Sequence, residues 1–279
     1  MCLDRKTGKT LWQQVATQLI PHEGTHGDNN FASGSPTTDG ERLYCWFGST
    51  GLFCYDLNGK KLWERPMSKA YMGASLGEAC SPVVHDGKLI LVRDHVRQSY
   101  IEVLDAKTGK MLWRENRQGG NGWSTPTVVT HSGKTQIITT ASGIGRGGRL
   151  VEPGKVISYN LQSGEIIWQC GGLTDNAIPC PVVDGNAVYC MTGYQGFSLL
   201  ALPLSAKGDI TGSDKILWSK NRGTPYTPSP ALYKGMLYYT QSNQALLSCT
   251  DAKTGETHID RERLNGLANV YSSLVAADE

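Results

Sequence analysis

One phrase recurs along the whole chain, and it limits the fold more than any other feature. It runs from an Asp or Asn through a Gly turn to an apolar residue and a tryptophan. Asp4-Arg5-Lys6-Thr7-Gly8 leads to Trp12, Asp56-Leu57-Asn58-Gly59 to Trp63, and Asp105-Ala106-Lys107-Thr108-Gly109 to Trp113. Asn160-Leu161-Gln162-Ser163-Gly164 leads to Trp168, a worn copy ends at Trp218, and Asp251-Ala252-Lys253-Thr254-Gly255 closes on Ile259. The spacing is about 50 residues, the period of a repeat architecture whose units bury their apolar faces only on one another.

A second phrase falls between the first ones: a small residue, usually Pro, two apolar residues, often Asp-Gly, then an apolar run. It starts at Ser35, Ser81, Thr125, Cys180 and Ser229, and Ser272-Ser273-Leu274-Val275 opens a sixth copy. Asp-Gly is a hairpin turn signal. Each unit therefore reads as four strands, A to D. Strand A is the Ser-Pro run, B a run such as Arg42–Phe47 or Ala187–Met191, and C Leu52–Tyr55 or Val156–Tyr159. Strand D ends in the tryptophan. No window holds a 3.6-residue apolar period. The expected fold is all-β: a β-propeller of four-stranded antiparallel blades. Stacked solenoid strands are the alternative, disfavoured because the hairpins make neighbouring strands antiparallel.

The Asp, Thr-Gly-Lys, Trp phrase resembles the tryptophan-docking motif of PQQ-type β-propeller repeats, found in quinoprotein dehydrogenases and in BamB-like outer-membrane assembly propellers. The wording around His22–His26 and Phe31–Pro36 is most similar to PQQ-binding-like propellers of planctomycete-type bacteria. The resemblance implies that Trp12, Trp63, Trp113, Trp168 and Trp218 dock against neighbouring blades, with Gly8, Gly59, Gly109, Gly164 and Gly255 allowing positive φ and close approach. Residues 1–279 are expected to form a single incomplete propeller domain: five complete blades plus partial blades at both ends. The whole protein is expected to have seven or eight blades. A six-bladed ring closed by the first strand D and the last strand A is the alternative.

Lys and Arg number 27 against 25 Asp and Glu, a net charge of +2. That balance gives no basic footprint for nucleic acid, and no apolar run suits a transmembrane segment. Met1–Lys6 shows no apolar leader; the resemblance, not this segment, implies a periplasmic or otherwise exported location for the full-length protein.

The longest loops, about 15–34, 65–79 and 142–155, are expected on one face, and an insertion at 203–214 lies in a C–D connection. His22, Glu23, His26, Asp28 and Asn29 crowd the first loop. Imidazole and carboxylate at this density could hold a divalent ion, with His22 and His26 as weak ligand candidates; loop hydrogen bonding is the expected role. Asn121, Trp123, Asn176 and Tyr226 are expected near the axis, and Trp46 and Trp123 are the tryptophans outside the docking position that could stack on sugars. Gly143-Ile144-Gly145-Arg146-Gly147-Gly148 matches G-x-G-x-x-G, but a dinucleotide site needs a helix next and a strand follows instead. Among eight cysteines, Cys2, Cys54 and Cys249 fill one equivalent repeat position. Were Ser49-Thr50 a two-residue turn, Cys45 would face Cys54 as a possible cross-strand disulfide.

No catalytic triad or carboxylate pair can be assembled. The expected function is a non-catalytic binding or scaffolding propeller, with a protein or polysaccharide partner and the missing blades of the same chain. Two alternatives stand beside it: a fragment of a PQQ-dependent dehydrogenase, and a carbohydrate-binding or carbohydrate-processing propeller. In quinoproteins an adjacent Cys-Cys pair covers the quinone and calcium is held by Glu and Asn. This chain has no Cys-Cys, so neither PQQ nor calcium is expected.

Overall fold

The computed structural model describes residues 1–146 and 149–277. The fold is all-β, and among the described residues the only helical turns are the 3-10 segments Gly48–Thr50 and Gly73–Ser75. Two compact units, Met1–Glu115 and Asn116–Glu279, divide the chain.

Unit one opens with a hairpin of β1 (Cys2–Leu3) and β2 (Thr10–Trp12). A four-stranded antiparallel sheet follows: β3 (Thr37–Thr38), β4 (Arg42–Trp46), β5 (Leu52–Asp56) and β6 (Lys61–Arg65). The next repeats it with β7 (Val83–His85), β8 (Lys88–Arg93), β9 (Tyr100–Asp105) and β10 (Met111–Asn116). Each sheet pairs its strands in chain order, which is the A-B-C-D order of a propeller blade.

Unit two holds three more sheets. The first uses β11 (Thr127–His131) and β12 (Lys134–Ala141); a side hairpin of β13 (Ile144–Arg146) and β14 (Arg149–Glu152) intervenes before β15 (Gly154–Asn160) and β16 (Ile166–Leu173). The next is β17 (Val182–Asp184), β18 (Ala187–Thr192) and β19 (Ser198–Pro203), then the short β20 (Gly208–Asp209) and β21 (Trp218–Lys220). The last is β22 (Ala231–Tyr233), β23 (Met236–Thr240), β24 (Leu246–Asp251) and β25 (Thr257–Arg263). The 203–214 insertion does not hang free. Its β20 pairs in parallel with β16, Trp168 opposite Gly208, and adds a fifth strand to the preceding sheet.

Burial explains the two kinds of strand in the sequence. β8, β9, β18 and β19 are buried along nearly their whole length, so both of their faces are mostly apolar, with Arg93 and Glu102 as buried charges. β6, β10 and β25 are mostly exposed and bury part of a side chain only at alternate positions, the tryptophan's among them in β6 and β10. The cores lie between consecutive sheets. Tyr44, Leu52 and Cys54 pack with Leu89, Leu91 and Leu104 in unit one. In unit two Ile138, Val156 and Trp168 meet Val188, Leu200 and Leu202, and Tyr189 and Leu199 meet Leu237 and Tyr239.

The repeated Asp and Thr have a local task. Asp105 Oδ1 accepts from the Thr108 backbone N–H at 2.8 Å and from its hydroxyl at 2.6 Å, closing the C–D turn. Asp4 with Thr7 and Asp251 with Thr254 do the same. The Ser-Pro phrase has a task between blades. The backbone N–H of Ser35 donates to Ser81 Oγ at 2.9 Å, Cys180 to Ser229 Oγ at 3.0 Å, and Ser229 to Ser273 Oγ at 3.0 Å. Ser273 thus holds the sixth copy's seam, while the expected strand at 272–275 does not form.

Candidate functional site

Three tryptophans stand over a glycine of the next repeat. A Cβ on Gly59 would fall 2.6 Å from the Trp12 indole, one on Gly109 2.9 Å from Trp63, and one on Gly255 2.8 Å from Trp218. Trp12 Nε1 donates to Leu57 O at 2.9 Å and Trp218 Nε1 to Ala252 O at 3.0 Å, the residue after the motif's acid both times. Nothing stands over Gly8 within 4 Å. Trp12, Trp63, Trp113 and Trp218 are half-buried. Trp168 differs: it is fully buried and donates to Gln136 Oε1 at 3.0 Å, under the inserted Leu204, Ala206 and Ile210. In the sheet that follows it, the insertion stands where a glycine turn would be.

In unit one the first long loop is bolted to the second. His22 Nε2 lies 2.5 Å from Ala70 O, with its ring edge-on to Tyr71. Glu23 Oε1 accepts from Met72 N at 3.1 Å, and Asn29 Nδ2 donates to Leu76 O at 2.7 Å. His26 and Asp28 stay outside, 3.7 Å apart with side chains 55% and 75% exposed. The expected cluster is therefore split by the folding of its own loop, and among the described residues no group of three His, Cys, Asp or Glu could hold a metal ion.

The two loops enclose a groove of about 290 Å³ walled by Leu19, Ile20, Pro21, Phe31 and Phe47. A second hollow of about 310 Å³ shares Leu19, Pro21, Phe31, Phe47 and Thr50 with it. Ile20 is 93% exposed, Leu19 51% and Phe31 48%. The groove floor is a closed polar network. Glu78 Oε1 accepts from Ser49 N at 2.7 Å and Ser49 Oγ at 2.6 Å, and Oε2 accepts from Arg93 Nε at 2.9 Å. Arg93, 3% exposed, also donates to Ser68 Oγ, Tyr100 OH and Ser49 Oγ. Burial opposes its charge, but Glu78 and Tyr100 outweigh burial and raise its pKa.

Two expectations fail in this unit. Trp46 is 4% exposed, donates to Gly48 O at 3.1 Å and belongs to the core, so it offers no stacking face. Cys45 pairs with Phe53, and Cys54 with Tyr44. The turn is the five-residue loop Phe47–Gly51, closed by Phe47 N to Gly51 O at 2.9 Å, not a two-residue turn. A one-residue shift puts side chains on opposite faces, and both cysteines are free.

In unit two, Asn176 and Tyr226 do come together: Asn176 Nδ2 donates to Tyr226 OH at 3.3 Å. Tyr226 stacks on Tyr194, centroids 4.9 Å apart and planes 24° from parallel. Asn121 and Trp123 are tied to the Asn176 loop at Ala177: Asn121 O accepts from Ser142 Oγ, which accepts from Ala177 N at 2.7 Å, and Trp123 N donates to Ala177 O at 3.3 Å. Tyr194 escaped sequence reading, since a lone tyrosine after a strand B carries no motif. Of the G-x-G-x-x-G residues, Gly147 and Gly148 lie outside the described residues; strand β15 follows, as the sequence reading expects.

A family model described as outer membrane protein assembly factor BamB matches residues 1–258. The chain belongs to this family. No curated protein sequence matches significantly. Solved structures with this fold include BamB from Moraxella catarrhalis, 16% identical with a TM-score of 0.55, covering 82% of this chain and 61% of that one. The computationally designed protein Ika8 is 12% identical with a TM-score of 0.58, covering 92% of this chain and 69% of that one. The quinohemoprotein alcohol dehydrogenase ADHIIG from Pseudomonas putida HK5 is 14% identical with a TM-score of 0.52, covering 86% and 42%. The chain thus spans 61% of the BamB structure and less than half of the dehydrogenase. Such identities show the fold alone.

The dehydrogenase likeness calls for a test against a quinone and its calcium. This BamB-family chain has no adjacent cysteines, its eight thiols are free, and Glu23 is already engaged by Met72 N–H. The donor set does not fit that pair.

Proposed function

We propose that this BamB-family chain is a non-catalytic binding propeller of the periplasm, part of a single larger ring, and that the unit-one groove receives an apolar side chain of a protein partner. The observation that carries this is the groove itself. Leu19, Ile20, Pro21, Phe31 and Phe47 give it an open apolar wall, Lys69 stands at its edge, and Glu78 beneath is paired with Arg93. Catalysis needs a base or nucleophile left free to act; here the polar groups stiffen a floor. Exposed apolar surface on a rigid frame marks an interaction site. The tryptophan-over-glycine contacts supply that rigidity between successive blades.

A dehydrogenase fragment is the competing reading, and turnover separates the two. The natural full-length protein, given PQQ, calcium, primary alcohols and an artificial electron acceptor, is expected to give no dye reduction above a protein-free control. PQQ-dependent dye reduction would overturn the proposal.

A further inference from the structure

The stacked tyrosines of unit two have a setting that protein binding by the unit-one groove does not use. Asp175 pairs with Tyr194 across an antiparallel bridge. Its Oδ1 accepts from Asn176 N at 2.8 Å, and its Oδ2 turns toward Gly145. A Cβ on residue 145 would meet Asp175 Oδ2 at 2.8 Å and Gln195 Oε1 at 3.1 Å. Two acceptor oxygens therefore converge over a glycine, and only a residue without a side chain leaves that space open. Among the described residues, neither oxygen has a hydrogen-bond partner.

The frame beneath is rigid. Tyr226 N donates to Ser242 O at 3.1 Å and Ser242 N to Thr224 O at 2.9 Å. Buried Thr224 Oγ1 donates to Thr192 O at 2.6 Å. A Cβ on Gly193, the residue before Tyr194, would fall 2.4 Å from Thr224 O. Asn176, Gln195 and Ser242 all hold positive φ, 52°, 53° and 49°, and all three belong to these loops. Left-handed backbone costs free energy in a residue other than glycine, and it gathers where geometry serves a ligand.

We propose that Tyr194, Asp175 and Gln195 form a carbohydrate subsite that takes one neutral pyranose ring of a glycan chain. The sugar's C–H face lies on the outer face of Tyr194, and two neighbouring hydroxyls donate to Asp175 Oδ2 and Gln195 Oε1. The chemistry selects this ligand over a proline-rich peptide. A polyproline helix needs an open slot between aromatic rings and donors for its carbonyls. Here the rings close on each other at 4.9 Å, leaving one flat face, and the groups open to a ligand are acceptors. Hydroxyl donors supply what they lack. Tyr226 is the positioning residue: Asn176 and the stack fix it, and it fixes Tyr194.

The test uses the full chain with maltohexaose, cellohexaose and chitohexaose, by titration calorimetry and tyrosine-region NMR, alongside a decaproline peptide. At least one hexasaccharide is expected to bind. Y194A is expected to weaken it about tenfold, the scale of one lost stacking ring, while Y194F leaves it within about twofold. D175N, which keeps the shape, is expected to weaken it without changing the melting temperature by more than a degree or so. Failure of all three sugars to bind overturns the proposal, as does wild-type sugar affinity in Y194A. Binding of decaproline alone replaces it with a peptide site. None of these outcomes bears on the unit-one groove, whose test reads partner contact.

Discussion

Trp218 lies flat over Gly255, one blade's outer strand against the next blade's turn. A Cβ at 255 would stand 2.8 Å from the indole, and Trp218 Nε1 reaches Ala252 O at 3.0 Å. Gly255 also holds φ +76°. The substitution G255A therefore meets two obstacles, strain and a clash with a rigid ring. It is expected to lower stability by about 2 kcal/mol, and W218A by about 3 kcal/mol through lost burial and a cavity. Urea unfolding measures both, and the double variant is expected to fall short of the sum, since both remove one contact.

Acid is expected to weaken unit one through His95. This side chain is 5% exposed, and its Nδ1 accepts from Arg97 N at 3.3 Å. Burial first, and the Arg93 charge second, hold its pKa below the ordinary 6.5. The folded state binds this proton less readily than the unfolded chain does. The stabilisation is therefore complete above about pH 6.5 and is lost as pH falls through the depressed value. Thermal melts from about pH 8 to 5 are expected to show that loss, and H95Q to flatten it. An unchanged slope in H95Q would assign the effect elsewhere.

The thiols are expected to be reduced and unreactive. Burial pushes Cys54 up to about 12 and Cys170 up to about 11, and raises Cys190 as well. A thiol, unlike a thiolate, is a poor nucleophile. Alkylation without reductant near pH 8 is expected to spare these three in the native protein and to label all eight cysteines after denaturation. A cysteine that labels only after reduction would contradict the free-thiol assignment.

Much of this fold was legible because each repeat carries its own turn chemistry. Asp105 with Thr108 and the phrase at Ser81 announce a C–D turn and a strand A without reference to the rest of the chain. What was not legible depended on contacts between distant segments. The Phe47–Gly51 loop gave no sign that it holds five residues rather than two, and that one step separated Cys45 from Cys54. Trp168 carries the same local phrase as the other tryptophans, yet an insertion about forty residues later decides what covers it. In the candidate sites, His22 and Glu23 were visible as a dense cluster. Their partners are the backbone of Ala70 and Met72, which no side-chain pattern reveals. The Tyr194–Tyr226 stack joins loops of two blades and has no signature in either.

Beneath the groove, E78Q is expected to destabilise unit one by about 3 kcal/mol, because it leaves the buried Arg93 guanidinium without its carboxylate. Replacing both partners, as E78L with R93M, is expected to recover part of that loss. Chemical denaturation of the three variants checks the order, and equal stability of E78Q and the wild type would show that the pair is not what holds the floor.

The groove as a partner site is tested most directly by site-specific photo-crosslinking of the full natural protein in its own cells. Probes go at Ile20, at Phe31, and at Lys107, which is exposed in a C–D turn. Ile20 and Phe31 are expected to give an adduct with one and the same protein, identified by mass spectrometry, and Lys107 none. No adduct from either groove position, or the same adducts from all three, would contradict the account.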